Sequence, residues 1–270
     1  MNAQAMSTET SPSWLFSRLR DLGYTMLGLS LLLGVWWVGG YLIANEPTTQ
    51  AFAGFAPAKA LPEAWRLIVT GELLNAALPS LERIGFGLLW ATLVAVPVGI
   101  LIGVSSVLRQ ITGFSFQLLR MVSPLAWMPV AVLAFATWDG AIIFLIFMAA
   151  VWPILFSTAF AVQRIDPVYF KVARNLGASP WGSLKRLLLP AITPDILAGL
   201  RLSLGVAWIV LVPAEYLGVT SGLGYAINDA RDILAYDMLA ALVLLIGIIG
   251  YLLDAILVAL IRHFGWQRDA

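Results

Sequence analysis

Cysteine is absent from the 270 residues, which excludes disulfides, thiolate nucleophiles and Cys-ligated zinc or iron–sulfur centres and leaves the redox compartment unreadable. Histidine occurs once, at His263, so a His-based metal site, catalytic triad or proton relay lacks its parts. No lysine follows a glycine, so the Gly-Lys pair of the phosphate-cradling loop is missing and the chain does not bind ATP that way. Charge is scarce: Lys and Arg sum to 16 and Asp and Glu to 15, for a net +1 that argues against a large nucleic-acid footprint. What is abundant is apolar surface. Hydrophobic residues make up 60% and charged ones 11%, with a mean hydropathy of +0.89, whereas soluble domains run near half apolar and about a quarter charged. The composition is that of an all-α polytopic membrane protein.

Backbone polar groups in hydrocarbon must be bonded within their own segment, so apolar stretches of about 20 residues read as helices crossing roughly 30 Å. Six such crossings are expected. The first spans 24–44 and the second 84–104, each free of charge. From Met121 to Phe160 the sequence stays apolar, broken near Trp138-Asp139-Gly140, and this predicts a helical hairpin of two crossings with a tight turn. The fifth runs from about Ile196 to Leu217 and the sixth from about Met238 to Ile261. Residues 1–23 form a tail, disordered over 1–10, with an interfacial helix at Trp14–Arg20, whose aromatic and cationic side chains suit a membrane surface. The first crossing is too long, and too far from the start, for a signal peptide. Residues 45–83 lie outside the bilayer with a short helix around Glu63 to Thr70. Residues 84–262 form the five-helix core and 263–270 a C-terminal tail.

Cations orient the chain. With both termini cytoplasmic, the inner segments hold eleven of the Lys and Arg residues, twelve with Arg201, while Lys59, Arg66, Arg83 and Arg231 fall outside. The reverse orientation exports the dense cluster from Arg164 to Arg186.

The longest inner connection, residues 163–193, spells out two short helices. Asp166 suits an N-cap with Pro167 at the first helical position, where its missing N–H costs nothing. Gly177 suits a left-handed exit. Ser179 and Pro180 repeat the start pattern for a second helix that Pro190 ends near Leu189, and Thr193-Pro194 opens the fifth crossing. The first helix carries Val168, Val172, Ala173 and Leu176 at helical spacing, with Lys171 and Arg174 on other faces. So short a helix is not stable alone in water and needs a surface to lie on. Lipid headgroups and a cytoplasmic protein are both open as that surface.

The run Lys171-Val172-Ala173-Arg174-Asn175-Leu176-Gly177-Ala178-Ser179, followed by Leu187-Leu188-Leu189-Pro190-Ala191, resembles the signature loop of permease subunits of binding-protein-dependent ABC importers. Ala173, Gly177, Leu189 and Pro190 match its pattern; Lys171 stands where a glutamate is usual and Val172 where alanine is usual. The resemblance covers about residues 80–262. Ser123-Pro124-Leu125-Ala126-Trp127, Val151-Trp152-Pro153, Gly199-Leu200-Arg201 and Ser221-Gly222-Leu223-Gly224 look like the branch for nitrate, bicarbonate, cyanate, taurine and aliphatic sulfonates, and the Val172-Ala173-Arg174 form of the signature looks most like its nitrate and bicarbonate side, with nitrate the expected substrate. It implies a type I importer permease fold and two permease copies, identical or homologous, in a bacterial inner membrane. It also implies two ATPase subunits that carry ATP and Mg, and a periplasmic or lipid-anchored binding protein. No cofactor is expected on this chain, which is then not an enzyme by itself. Lys171, Val172, Ala173, Arg174, Leu176, Gly177 and Ser179 become the ATPase-coupling residues. The residues also leave open a taurine, alkanesulfonate or bicarbonate importer, and a non-transport membrane scaffold.

Inside the crossings, Glu215 is the most costly residue to bury, and such carboxylates face a bundle interior or a watery cavity. Two readings stand for it: a structural cap near the outer end of the fifth crossing, or a gate at the external mouth, where Trp127 and Pro124 join it along the path. Arg201 is expected to pair with Asp195 or headgroups, and Asp254 with a nearby cation. Gly99 and Gly103 mark a close helix contact. Trp127, Trp138 and Trp152 read chiefly as interface anchors.

Overall fold

The computed structural model describes the backbone of residues 13–265 and the side chains of residues 20–262. The tail at 1–10 and the side chain of His263 lie outside the described residues. Among these the chain is helical throughout, without strands. The long helices are α1 (Ser13–Asn45), α3 (Glu72–Val104), α6 (Trp138–Gln163), α9 (Leu189–Gly218) and α11 (Tyr236–Gly265). Shorter ones are α2 (Pro57–Val69), α4 (Ser106–Met121), α5 (Met128–Ala134), α7 (Pro167–Asn175), α8 (Pro180–Ser183) and α10 (Leu223–Asp232). Five helical segments are long and apolar enough to cross a membrane, up to six if the bent pair α4–α5 is counted as one broken crossing.

The packing is set by α3, α6 and α9. Between apolar helices in lipid there is no hydrophobic drive to associate, so close approach through small residues takes its place. A Cβ added at Gly87 would lie 2.3 Å from Ile146, at Gly99 2.8 Å from the Leu155 carbonyl, and at Gly103 2.5 Å from Val162. The expected Gly99–Gly103 face is therefore a real contact, and it runs α3 parallel to α6, since 87, 99 and 103 meet 146, 155 and 162 in order. Helix α9 returns antiparallel: Ser203 Oγ donates to the Ala150 carbonyl at 2.6 Å and Ser157 Oγ to the Asp195 carbonyl at 2.6 Å. Helix α11 runs antiparallel to α9, with Trp208 against Gly250 and Arg201 against Asp254. The start of α7 and the end of α11 thus lie at one end of the bundle, and Glu215, Trp138 and Asp237 at the other.

Several boundaries differ from expectation. The interfacial helix and the first crossing form one continuous helix, α1, because nothing between Arg20 and Tyr24 breaks a helix: Asp21-Leu22-Gly23 contains no proline. Helix α1 is anchored at its Asn45 end, where Trp36 Nε1 donates to the Phe55 carbonyl at 2.9 Å and Gly40 meets Ala56 and Pro57. The 3-10 turn Gln50–Phe55 then stacks Phe52 and Phe55 on Tyr236, joining α1 to α11. The short helix foreseen at 63–70 begins earlier, at Pro57, and the second crossing begins at Glu72, because the mixed stretch Glu72 to Glu82 continues the helix ahead of its charge-free part. Glu63 and Glu72 both bond Arg66, whose guanidinium is held above its ordinary pKa by those hydrogen bonds.

The third crossing is the largest correction. It is not one arm of a simple hairpin over 121–137: Val122-Ser123-Pro124 ends α4 at Met121, a 3-10 turn covers Pro124–Trp127, and α5 leaves at 90° to α4. Pro124 and Pro129 each sit at a helix start, where a missing N–H is harmless, and each forbids a helix running straight through. At the other bundle end, Pro190 does not stop a helix and Thr193-Pro194 does not open one. Residues Pro180–Gly218 are continuous because Leu184–Leu188 forms a π-turn. Its widened ring makes room for the proline.

Candidate functional site: a buried ion network and an exposed docking helix

The end of the bundle holding Glu215 is closed by a buried charge network. Ser80 and Arg83, three residues apart on α3, share a face toward α9. Arg83, placed outside the membrane by the charge count, has a side chain only 5% exposed, and Glu215 is fully buried. Arg83 Nη1 donates to Glu215 Oε1 at 2.5 Å and to the Ser221 carbonyl at 2.9 Å, and Nη2 reaches Ser221 Oγ at 2.8 Å. Its Nε donates to Asp139 Oδ1 at 2.8 Å. One guanidinium therefore ties α3 to α6, α9 and the loop before α10, using the fixed fork of donors that lysine lacks.

The carboxylate has a second task. Gly224 N donates to Glu215 Oε2 at 3.0 Å, while Leu223 N donates to Ser80 Oγ, which itself donates to Glu215 at 2.8 Å. These are the first two N–H groups of α10, which no intrahelical carbonyl can satisfy. Glu215 is thus the long-range cap of a helix elsewhere in the chain, the first of its two expected readings. The loop needs glycine to come this close. Gly222 has φ +113°, and a Cβ there would sit 2.5 Å from the Glu215 carboxyl; one at Gly224 would meet the Val212 carbonyl at 2.2 Å.

The sequence did not reveal Ser80, Arg83 or Ser221 as partners of Glu215. The i, i+3 spacing of Ser80 and Arg83, ahead of an apolar run with its own buried-charge puzzle at Glu215, was the available signal. Arg201 also differs from expectation. It bonds Asp254 with Nε at 2.7 Å and Nη2 at 2.8 Å, and Asp195 pairs with Arg164 instead. Asp195 lies nearly two turns below Arg201, out of its reach. Of the three tryptophans, Trp138 covers Gly218, where a Cβ would meet its ring at 2.0 Å, and Trp152 stacks on Phe156. Trp127 follows Pro124 in the 3-10 turn between α4 and α5, and its buried Nε1 has no hydrogen-bond partner.

The opposite end carries α7, and local signals shape it as foreseen. Asp166 Oδ1 accepts from Val168 N at 2.8 Å with Pro167 at the first position. Gly177 N donates to the Arg174 carbonyl and Ala178 N to the Ala173 carbonyl, both at 3.0 Å, which is the paired 5→2 and 6→1 closure of a Schellman exit. Gly177 sits at φ +77° with open space around it, so glycine is required there by backbone conformation, not by crowding. Ser179 Oγ accepts from Gly182 N to start α8. Phe170 packs α7 against the buried cluster of Ala161, Val162, Leu188 and Ile192. The outward face presents Val168, Tyr169, Val172 and Leu176, the last 82% exposed, beside Lys171 and Arg174.

A helical bundle of up to six crossings, with a broken third crossing, a closed charged end and an exposed helix at the other, is the fold of a polytopic membrane protein. The chain matches, over residues 95–265, the family described as binding-protein-dependent transport system inner membrane component, and it belongs to that family. It is 35% identical over 241 residues to the nitrate import permease protein NrtB of Leptolyngbya laminosa, covering 86% of this chain and 84% of that one. It is 34% identical over 255 residues to the taurine transport system permease protein TauC of Escherichia coli strain K12, covering 93% and 91%. To the bicarbonate transport system permease protein CmpB of Synechococcus elongatus it is 40% identical over 177 residues, 65% of this chain and 63% of that one.

Proposed function

We propose that this chain is the membrane-spanning subunit of an ATP-driven importer for a small inorganic anion, nitrate foremost. Two copies, identical or homologous, form the path. Two ATPase subunits hold ATP and Mg, and each receives one α7 in a groove through Lys171, Val172, Ala173, Arg174, Leu176, Gly177 and Ser179. A periplasmic or lipid-anchored binding protein delivers the anion at the Glu215 end. The observation that carries this reading is α7 itself: a nine-residue helix, capped at both ends, whose outer face leaves Val168, Tyr169, Val172 and Leu176 about half or more exposed. A helix fixed by Asp166, Pro167 and Gly177 transmits displacement where a loop absorbs it.

The bundle's antiparallel order supports one membrane side for α7 and the end of α11, and the cluster Arg164 to Arg186 supports the cytoplasm as that side. The bacterial inner membrane, with both termini inside, follows. Glu215, as the cap that ties four elements together, holds the outer end of the path closed, and Trp127 with Pro124 marks the break in the path below it. The long apolar helices and the family assignment make transport the better reading than a membrane scaffold, and the exposed α7 favours a protein groove over headgroups. Similarity to a taurine and a bicarbonate permease keeps those substrates as the second reading.

The test is reconstitution with the cognate ATPase and binding protein in vesicles. ATP turnover raised by nitrate-loaded binding protein, with nitrate accumulating, supports the assignment. Accumulation of taurine or bicarbonate in its place replaces the anion, and failure of any ATPase to associate refutes the importer.

A further inference from the structure

A second charged site lies in the crossings, away from the Glu215 network. Arg201 and Asp254 face one another across the antiparallel α9–α11 seam, 2.7 Å and 2.8 Å apart in a two-pronged pair. Yet both side chains are open to the outside of this chain, at 51% and 41% exposure. The depth is what makes this informative. At about 1.5 Å per residue, Arg201 lies roughly 18 Å along α9 from Leu189 and about 21 Å from Glu215.

Side chains on a helix lean toward its N-terminus. Arg201 therefore leans toward the α7 end, but Asp254, on a helix running the other way, leans from the α7 end toward the middle of the bundle. Reaching Asp254 holds the guanidinium inside instead of letting it extend toward headgroups. A half-exposed ion pair at this depth does not face acyl chains; it faces water or another protein. The surrounding face agrees. Gly205 is one turn from Arg201, and Tyr251 and Gly247 lie three and seven residues before Asp254, all on the exposed side. A Cβ at Gly205 or Gly247 would touch nothing within 4 Å. Together with the ion pair these residues make a narrow small and polar strip, flanked by the exposed Leu202, Ile209, Ile248 and Leu252.

We infer that the α9–α11 strip lines the aqueous path between the two copies and that Arg201 is a specificity-determining residue in it, offering its guanidinium to the passing oxyanion. A bare arginine binds an anion too firmly to release it. Asp254 prevents this: it keeps the cation partly neutralised, yields one prong of the pair when an anion arrives, and reclaims it when the anion moves on. This rests on the anion-import reading above, which the two arms of the test separate from the location of the strip.

The native chain has no cysteine, so a single Gly205→Cys reports directly on water access within the assembled, vesicle-reconstituted complex. The strip predicts labelling by a charged, membrane-impermeant methanethiosulfonate at least ten times faster than at Leu32→Cys on α1. Equal or slower labelling overturns the path assignment. In the second arm, Arg201→Gln/Asp254→Asn shortens residue 201 but leaves both side chains able to hydrogen-bond while removing both charges. Anion uptake is expected to fall at least tenfold while ATP turnover stimulated by loaded binding protein stays within twofold. Unchanged uptake, or uptake and stimulation lost together with the yield of complex, overturns the specificity role. If the parent complex carries no anion at all while Gly205→Cys labels rapidly, the anion-import reading and Arg201's role in it both fail and the location of the path alone survives.

Discussion

The two ends of the bundle are built by opposite means. At the Glu215 end, order comes from groups far apart in sequence: Arg83, Asp139, Glu215 and Ser221 share one guanidinium, and α10 takes its caps from α3 and α9. At the α7 end each helix is capped by its own neighbours in sequence, Asp166, Gly177 and Ser179, and the outward side chains are exposed. The first arrangement is completed by contacts within the chain. The second leaves apolar side chains exposed, so damage to the first is expected in stability and damage to the second, under the proposed docking role, in coupling.

The sharpest way to break this comparison is to remove Arg83. Arg83→Met leaves the Glu215 carboxylate buried without its cation, a loss of about 3–5 kcal/mol for breaking a buried pair, seen as a large drop in thermal midpoint of the detergent-purified protein. Arg83→Met/Glu215→Gln should recover much of it, and a double variant no better than the single one removes the ion pair from the explanation. Next comes Gly222→Ala. With φ +113° and the Glu215 carboxyl 2.5 Å from the new Cβ, a loss of about 2–3 kcal/mol is expected from strain and overpacking. An unchanged midpoint would show that the loop moves aside freely.

At the other end Gly177→Val has open space but the wrong backbone, costing about 1–2 kcal/mol locally. The global midpoint should barely move, while ATP turnover loses its response to loaded binding protein; full coupling in this variant contradicts the docking role of α7. Asp166→Ala removes one cap, about 1 kcal/mol, and should weaken ATPase association without unfolding the bundle, as read by co-purification under rising salt. The smallest effect belongs to Trp127→Phe. Removing a buried N–H that has no partner should stabilise by up to about 1 kcal/mol, and lost transport in a stable variant would assign that donor to the path.

Sequence reading recovered α7 almost residue by residue, because its signals act within one helix turn: a carboxylate before a proline, and a glycine where the chain must turn left. The crossings were legible for the same reason that apolar runs of fixed length have few alternatives in a bilayer. It failed at prolines, whose effect depends on the ring around them. Pro124 breaks a crossing, whereas Pro190 is absorbed by the π-turn at Leu184–Leu188. At ion pairs it foresaw that Asp254 meets a nearby cation but missed the other partners. Arg83 was counted as an outer-loop charge, and Arg201 was given Asp195 in place of Asp254, since helix-to-helix register decides which carboxylate a guanidinium meets.

The residues alone determined that this chain lives in a membrane, that it crosses about six times, and that a capped helix projects between the fourth and fifth crossings, because hydrophobic length and local capping are properties of contiguous sequence. Tertiary structure alone decided that Glu215 caps α10, that Arg83 closes one end of the bundle, and that Arg201 stands opposite Asp254, because a buried charge takes its partner from whatever helix packing brings within about 3 Å.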